Sequence, residues 1–303
     1  MNTLFKFLIL LLVPGFLSAD QKLTNARGGG LSPDKTIVYK KVAGDVTELK
    51  LHLFYPEGYN SSKKYPSIVF FFGGGWSGGD PGHFYIHAKY LASRGMVAIC
   101  PDYRTKSSHG ALPYLCVEDG KAAMRYVRGH AKELGLDPKR IAAGGGSAGG
   151  HVAAATATVE RFDAGKNLDI SPVPDALVLF NPVYDNGPNG YGYDRVKDYW
   201  EYFSPMHNLK AGGPPAIVFF GDSDALVPVP TAEEYQKRMH DLGMRSELHV
   251  FADQSHGFFN WSSDKSPEKE IVIATFTAMD TFLTSLGYLK GESTVVDWVA
   301  ARR

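Results

Sequence analysis

Charge of either sign in excess is missing from this chain: Lys and Arg number 32 and Asp and Glu number 32, so the formal net charge is zero. No block of like charge stands out along it. Nucleic acid and anionic membrane surfaces both demand a basic patch, so neither is an expected partner. Cysteine is scarce, with only Cys100 and Cys116 in 303 residues. That excludes a disulfide-built scaffold, and the two thiols read as separate buried groups. No Cys/His cluster has zinc spacing, so no metal is expected, and no motif calls for another cofactor. Long apolar runs are absent beyond the N-terminus. There, Lys6 precedes an unbroken apolar run over 7–13, Pro14 and Gly15 end it, and Ser18-Ala19 supply small residues before Asp20. The run is too short for a bilayer core about 30 Å thick. It reads as an export signal over 1–19, which makes a periplasmic or extracellular location the expectation. No stable membrane association is expected of the remainder.

What is present is an ordinary globular composition, 44% hydrophobic and 21% charged, enough for one substantial core. Residues 20–303 are expected to form a single domain, without repeats. Residues 36–42 and 49–55 suit an opening antiparallel pair, the second alternating Leu49, Leu51, Leu53 and Tyr55 with polar positions. Residues 67–72 and 96–100 are continuous apolar runs, as in strands buried on both faces. Further strands are expected at 140–143, 176–180, 216–221 and 247–251. Helices are expected around 84–93, 114–134, after Ser147, and over 231–242 and 267–286. Strands alternating with helices predict an α/β fold: a mostly parallel sheet of about eight strands with helices on both faces. In such sheets ligands bind beyond the carboxyl ends of the strands.

Three motifs fall at those ends. Gly145-Gly146-Ser147-Ala148-Gly149 follows a strand and opens a helix, the setting of a nucleophile elbow. The glycines two residues either side of Ser147 remove side chains that would clash in so sharp a turn. A serine hydroxyl needs a base, and His256, beside a glycine in the loop after the last strand, is well placed to be one. An acid that fixes the imidazole is expected from Gly221-Asp222-Ser223-Asp224. Asp224 is the better choice because the next helix begins just behind it at Val227-Pro228. Asp222 reads as loop-bracing, with Asp185 and Asp253 as weaker rivals. Phe72-Gly73-Gly74-Gly75-Trp76, glycines after a buried strand, can turn N–H groups towards an oxyanion, joined by the N–H of Ala148.

With those residues in that order, the chain resembles the hormone-sensitive-lipase-like and acetyl-xylan/feruloyl-esterase-like serine esterases of the α/β-hydrolase superfamily. GGGW at 73–76, Asp102-Tyr103-Arg104, GGSAGGH at 145–151, GDSDALVP at 221–228 and SHGF at 255–258 carry the resemblance. It implies an esterase acting on short acyl esters of small molecules or oligosaccharides, acetyl or feruloyl groups among them, with Gly74, Gly75 and Ala148 as oxyanion donors. It departs at Phe72, where these families place a loop-shaping histidine, and in having no long N-terminal cap, so only a small lid is expected. Asp102 and Arg104 are expected to brace the oxyanion loop, and His151 to pack behind Ser147. Trp76, Tyr184 and Trp200 are candidate substrate contacts, the latter two from the aromatic segment 183–215. A prolyl-oligopeptidase-like peptidase shares the residue order, but no propeller domain is evident. A non-catalytic binder on the same scaffold is disfavoured by the intact Ser, Asp and His.

Overall fold

The computed structural model describes residues 30–42, 47–165, 167–260 and 266–302. The expected export segment, 1–19, lies outside the described residues. Eight strands form one sheet: β1 (Lys35–Lys41), β2 (Glu48–Phe54), β3 (Tyr65–Phe71), β4 (Val97–Pro101), β5 (Leu136–Gly146), β6 (Ala176–Phe180), β7 (Ala216–Gly221) and β8 (Ser246–Phe251). Their order is β1-β2-β4-β3-β5-β6-β7-β8. β1–β2 and β2–β4 run antiparallel, and every later pair is parallel.

Strand alternation divides the core in two. Val69 and Phe71 of β3 enter one apolar cluster, with α2 (Pro113–Gly129), α3 (Ala148–Thr158) and α4 (Val229–Asp241). Ile68 and Phe70 enter the other, with α1 (Tyr85–Ser93), α5 (Ser266–Ser285) and α6 (Val295–Ala300). A period of two against helices on both faces is the reason β3, β4, β6 and β7 are buried on both faces. Cys100 and Cys116 are free and belong to opposite clusters, so the sheet itself separates them.

Two expected boundaries move. The helix predicted to reach 134 stops at Gly129, and 130–135 turns back on itself through Leu134 N–H to His130 O and Leu136 N–H to Ala131 O. Those turns bury Ala131 and Leu134. The short strand expected at 140–143 runs from Leu136 through all three glycines to Gly146. Phe70 crowds Gly144 and Phe259 crowds Gly146, so aromatic rings fill the space that side chains would take there. The carboxyl ends of β3, β5, β7 and β8 thus gather the glycine loop, Ser147, Asp224 and His256 at one edge.

Candidate active site

Ser147 is the N-cap of α3 and holds φ 55°, ψ −123°. A non-glycine residue there costs about 1–3 kcal/mol and persists only when its surroundings fix it. They do. Ser147 N–H donates to Phe180 O across to β6, and Ser147 O accepts from His151 and Val183 N–H groups. A methyl group on Gly149 would lie 2.1 Å from Phe71 O, and one on Gly145 would lie 2.6 Å from the same oxygen. Only glycine lets α3 begin hard against the end of β3. The helix N-terminus also favours negative charge developing beside Ser147.

Asp224, buried, meets a half-buried His256. His256 Nδ1 is 2.6 Å from Asp224 Oδ2, and the Asp224 side chain is 1% exposed. Burial pushes this carboxyl up. Hydrogen bonds from His256, Val227 N–H, the Asn181 amide and Leu226 N–H outweigh it and hold Asp224 below the ordinary carboxylate range. The Nδ1–H is therefore the donor, which leaves the Nε2 lone pair free to accept a proton. Among the described residues Nε2 has no hydrogen-bond partner. It and Ser147 line the same cavity of ≈ 360 Å³. A bond between hydroxyl and imidazole that is open without substrate is common in such sites. Asp222 is exposed and accepts from Ser223 Oγ and Asp253 N–H, as a loop brace does. Asp185 likewise accepts from Gly187 N–H within its own loop.

Asn181 was not foreseen. It sits just past β6 with φ 40°, fully buried, its Nδ2 2.5 Å from Asp224 Oδ2. A second amide donor to the oxygen that meets His256 fixes the carboxylate plane. The asparagine after a buried strand was the only sequence signal.

The glycine loop presents Gly74 and Gly75 to the cavity, and among the described residues their N–H groups, like that of Ala148, have no acceptor. Phe72, which departs from the family pattern, stacks on Tyr103 at 3.9 Å between ring centres. The loop-shaping imidazole comes instead from His83, ten positions beyond Gly73. Gly73 N–H donates to His83 Nδ1 at 2.9 Å, so His83 Nε2–H donates to Asn260 Oδ1. One imidazole thus ties the glycine loop to the loop that carries His256. His83 is held on a 3₁₀ turn, Pro81–Phe84, capped by the Asp80 side chain.

Four expectations need correction. Trp76 is 1% exposed and packs on His151 and Phe203, behind the loop and away from the cavity. Tyr184 is fully buried and stacked on Tyr235 at 3.6 Å. Trp200 packs edge-on to His207. Each packs its ring against the protein, and of the aromatic segment only Tyr191 and Arg195 line the cavity. Lastly, Asp102 and Arg104 do not brace the glycine loop. Asp102 accepts from Lys50 N–H, and Arg104 pairs with Asp119 and Glu118. The brace is Tyr103 between them, whose hydroxyl donates to Phe72 O at 2.5 Å. His151 is buried behind Ser147 and bonds Phe203 O. Burial pushes it down to about 3, so it stays neutral.

The strain at Ser147 has a measurable consequence. Ser147→Gly should stabilise the fold by about 1 kcal/mol, the relieved backbone strain less the roughly 0.5–1 kcal/mol that glycine costs through unfolded-state freedom. A urea midpoint that rises with an unchanged slope is the expected result. A lower midpoint would mean the elbow is not strained.

Comparison with known proteins agrees with this geometry. Residues 51–172 match the BD-FAE family and residues 192–286 the dienelactone hydrolase family. Isoprenylcysteine alpha-carbonyl methylesterase ICME of Arabidopsis thaliana is 26% identical over 275 residues, covering 82% of this chain and 61% of that protein. Carboxylesterase NlhH of Mycobacterium tuberculosis is 33% identical over 141 residues, covering 46% of this chain and 43% of that one. The chain thus spans under two thirds of these relatives' length. Esterase 2 of Thermogutta terrifontis, solved with propionate bound, is 39% identical with a TM-score of 0.79, covering 85% of this chain and 96% of that chain. The chain belongs to the α/β-hydrolase superfamily, among its hormone-sensitive-lipase-like carboxylic ester hydrolases.

Proposed function

We propose that this protein hydrolyses short-chain acyl esters through an acyl-enzyme formed on Ser147, and that it does so outside the cytoplasm. The observation that carries the mechanism is the short bond between His256 Nδ1 and the buried, ionised Asp224. It leaves Nε2 as the base facing the cavity that holds Ser147. His256 takes the hydroxyl proton as Ser147 Oγ attacks the ester carbonyl, and the imidazolium formed is stabilised by Asp224. The N–H groups of Gly74, Gly75 and Ala148 receive the oxyanion. The proton then passes to the leaving alcohol. Water, activated by the same imidazole, attacks the acyl carbonyl, and collapse of the second tetrahedral intermediate releases the acid and restores Ser147.

The short-acyl preference is supported by crowding at the elbow, where Phe259 and the glycine loop close in on Ser147. Each methylene left outside forgoes about 0.8 kcal/mol of burial. Acetyl esters of carbohydrates are the natural substrates we propose. Of the aromatic segment 183–215, Tyr191 is the ring that lines the cavity and is available to meet a sugar. Export is supported by Lys6 and the apolar run over 7–13.

Two measurements test the reading. Asp224→Asn should lower kcat/KM for p-nitrophenyl butyrate about a thousandfold or more, because the wrong tautomer is held, while Asp222→Asn changes it little. Asp222 as the crippling position would reject the assignment. Across p-nitrophenyl acetate, butyrate and octanoate, kcat/KM should fall at octanoate, and a maximum there would reject the short-acyl pocket.

A further inference from the structure

The cavity is electrically one-sided. Among the described residues no Asp or Glu lines it, whereas Arg195 does. Arg195 stands on a one-turn helix, Tyr193–Val196, at the exposed rim. Three contacts fix its guanidinium. Nη1 donates to Gly75 O at 2.6 Å, and the group lies 5.0 Å from the Trp76 ring centre and 5.1 Å from that of Tyr191. Gly192 makes room for it, since a methyl group there would stand 2.8 Å from Nη2. Among the described residues no carboxylate pairs with it, and its other N–H donors find no acceptor in the protein. The Tyr191 hydroxyl is beside it, 3.1 Å from where a methyl on Gly75 would be.

A cation held this way, without a counter-ion and over the glycine that faces the ester, is prepared for an anion. Guanidinium offers a planar fork matched to carboxylate, and stacking on two rings limits the rotamer freedom lost on binding. We infer that Arg195 selects esters that carry a carboxylate near the scissile bond. This rests on the esterase reading above and narrows its substrate class. The carboxylate belongs either to the acyl group, as in a dicarboxylic half-ester, or to the alcohol, as in an acylated acidic sugar or hydroxy acid. Both use the same contact. Neutral esters bind without it.

Paired substrates test this in the full-length protein by titrating the acid released. Monomethyl succinate against methyl butyrate reports a charge on the acyl side, and 4-acetoxybenzoate against its methyl ester reports a charge on the alcohol side. The readout is the ratio of kcat/KM within each pair, which cancels intrinsic reactivity when variants are compared. Arg195→Ala should lower that ratio about 10- to 100-fold in one pair, the worth of a hydrogen bond to a charged group. Arg195→Lys should fall between, keeping charge but losing the fork, and Arg195→Glu should lower the ratio further than alanine. The pair that responds locates the carboxylate. Ratios unchanged within about twofold in both pairs, in alanine and glutamate variants that still hydrolyse the neutral esters, would overturn the inference and leave the esterase reading standing. A wild-type protein that hydrolyses none of the four esters would instead overturn the esterase reading on which it rests.

Discussion

The unfavourable backbone of Ser147 is the constraint on which the rest of the site depends. A φ of 55° at a serine is maintained because β5 must pass into α3 within a single residue, between Phe71 O on one side and Phe180 O on the other. Glycines at 145 and 149 permit the approach, and the hydrogen bond to β6 locks it. The outcome is a hydroxyl raised above the sheet edge, at the start of a helix whose N–H groups point the same way. Nothing in the loops would matter if that residue relaxed into the strand.

Around it the protein spends its buried polar groups on one carboxylate. Asp224 gathers two backbone N–H groups, the Asn181 amide and His256, which together outweigh the effect of burial. A partly satisfied network of this kind would be worse than none. Its effect is to choose the histidine tautomer, and so to choose which nitrogen faces the cavity. The glycine loop is held by separate means: Tyr103 grips Phe72 O, His83 grips Gly73 N–H, and Arg195 grips Gly75 O. Loop and imidazole are then coupled through His83 and Asn260.

The strands were legible in the sequence because both faces of a parallel sheet are buried, which writes unbroken apolar runs at β3, β4, β6 and β7. Ser147, Asp224 and His256 were legible as residues because each lies in a glycine-bearing turn or loop just past a strand. What was not legible depends on side-chain direction. Asn181 and His83 look like ordinary loop residues until the fold brings Asp224 and Gly73 to them. Trp76, Tyr184 and Trp200 misled for the converse reason: an aromatic residue in a loop near a site is as able to fill the protein's own interior as to meet a ligand. Arg195 lay in the same segment, and only its contacts with Gly75, Trp76 and Tyr191 single it out. The glycines of 144–146 looked like a turn, yet neighbouring rings let them serve as strand.

The account's central claim is that Ser147 becomes covalently acylated. Treating the purified protein with diisopropyl fluorophosphate and mapping the adduct by mass spectrometry tests it most directly. A single adduct on the peptide bearing Ser147, formed in step with loss of ester hydrolysis, is the predicted result. Full inactivation with the adduct on another residue, or hydrolysis that persists in fully modified protein, would contradict it.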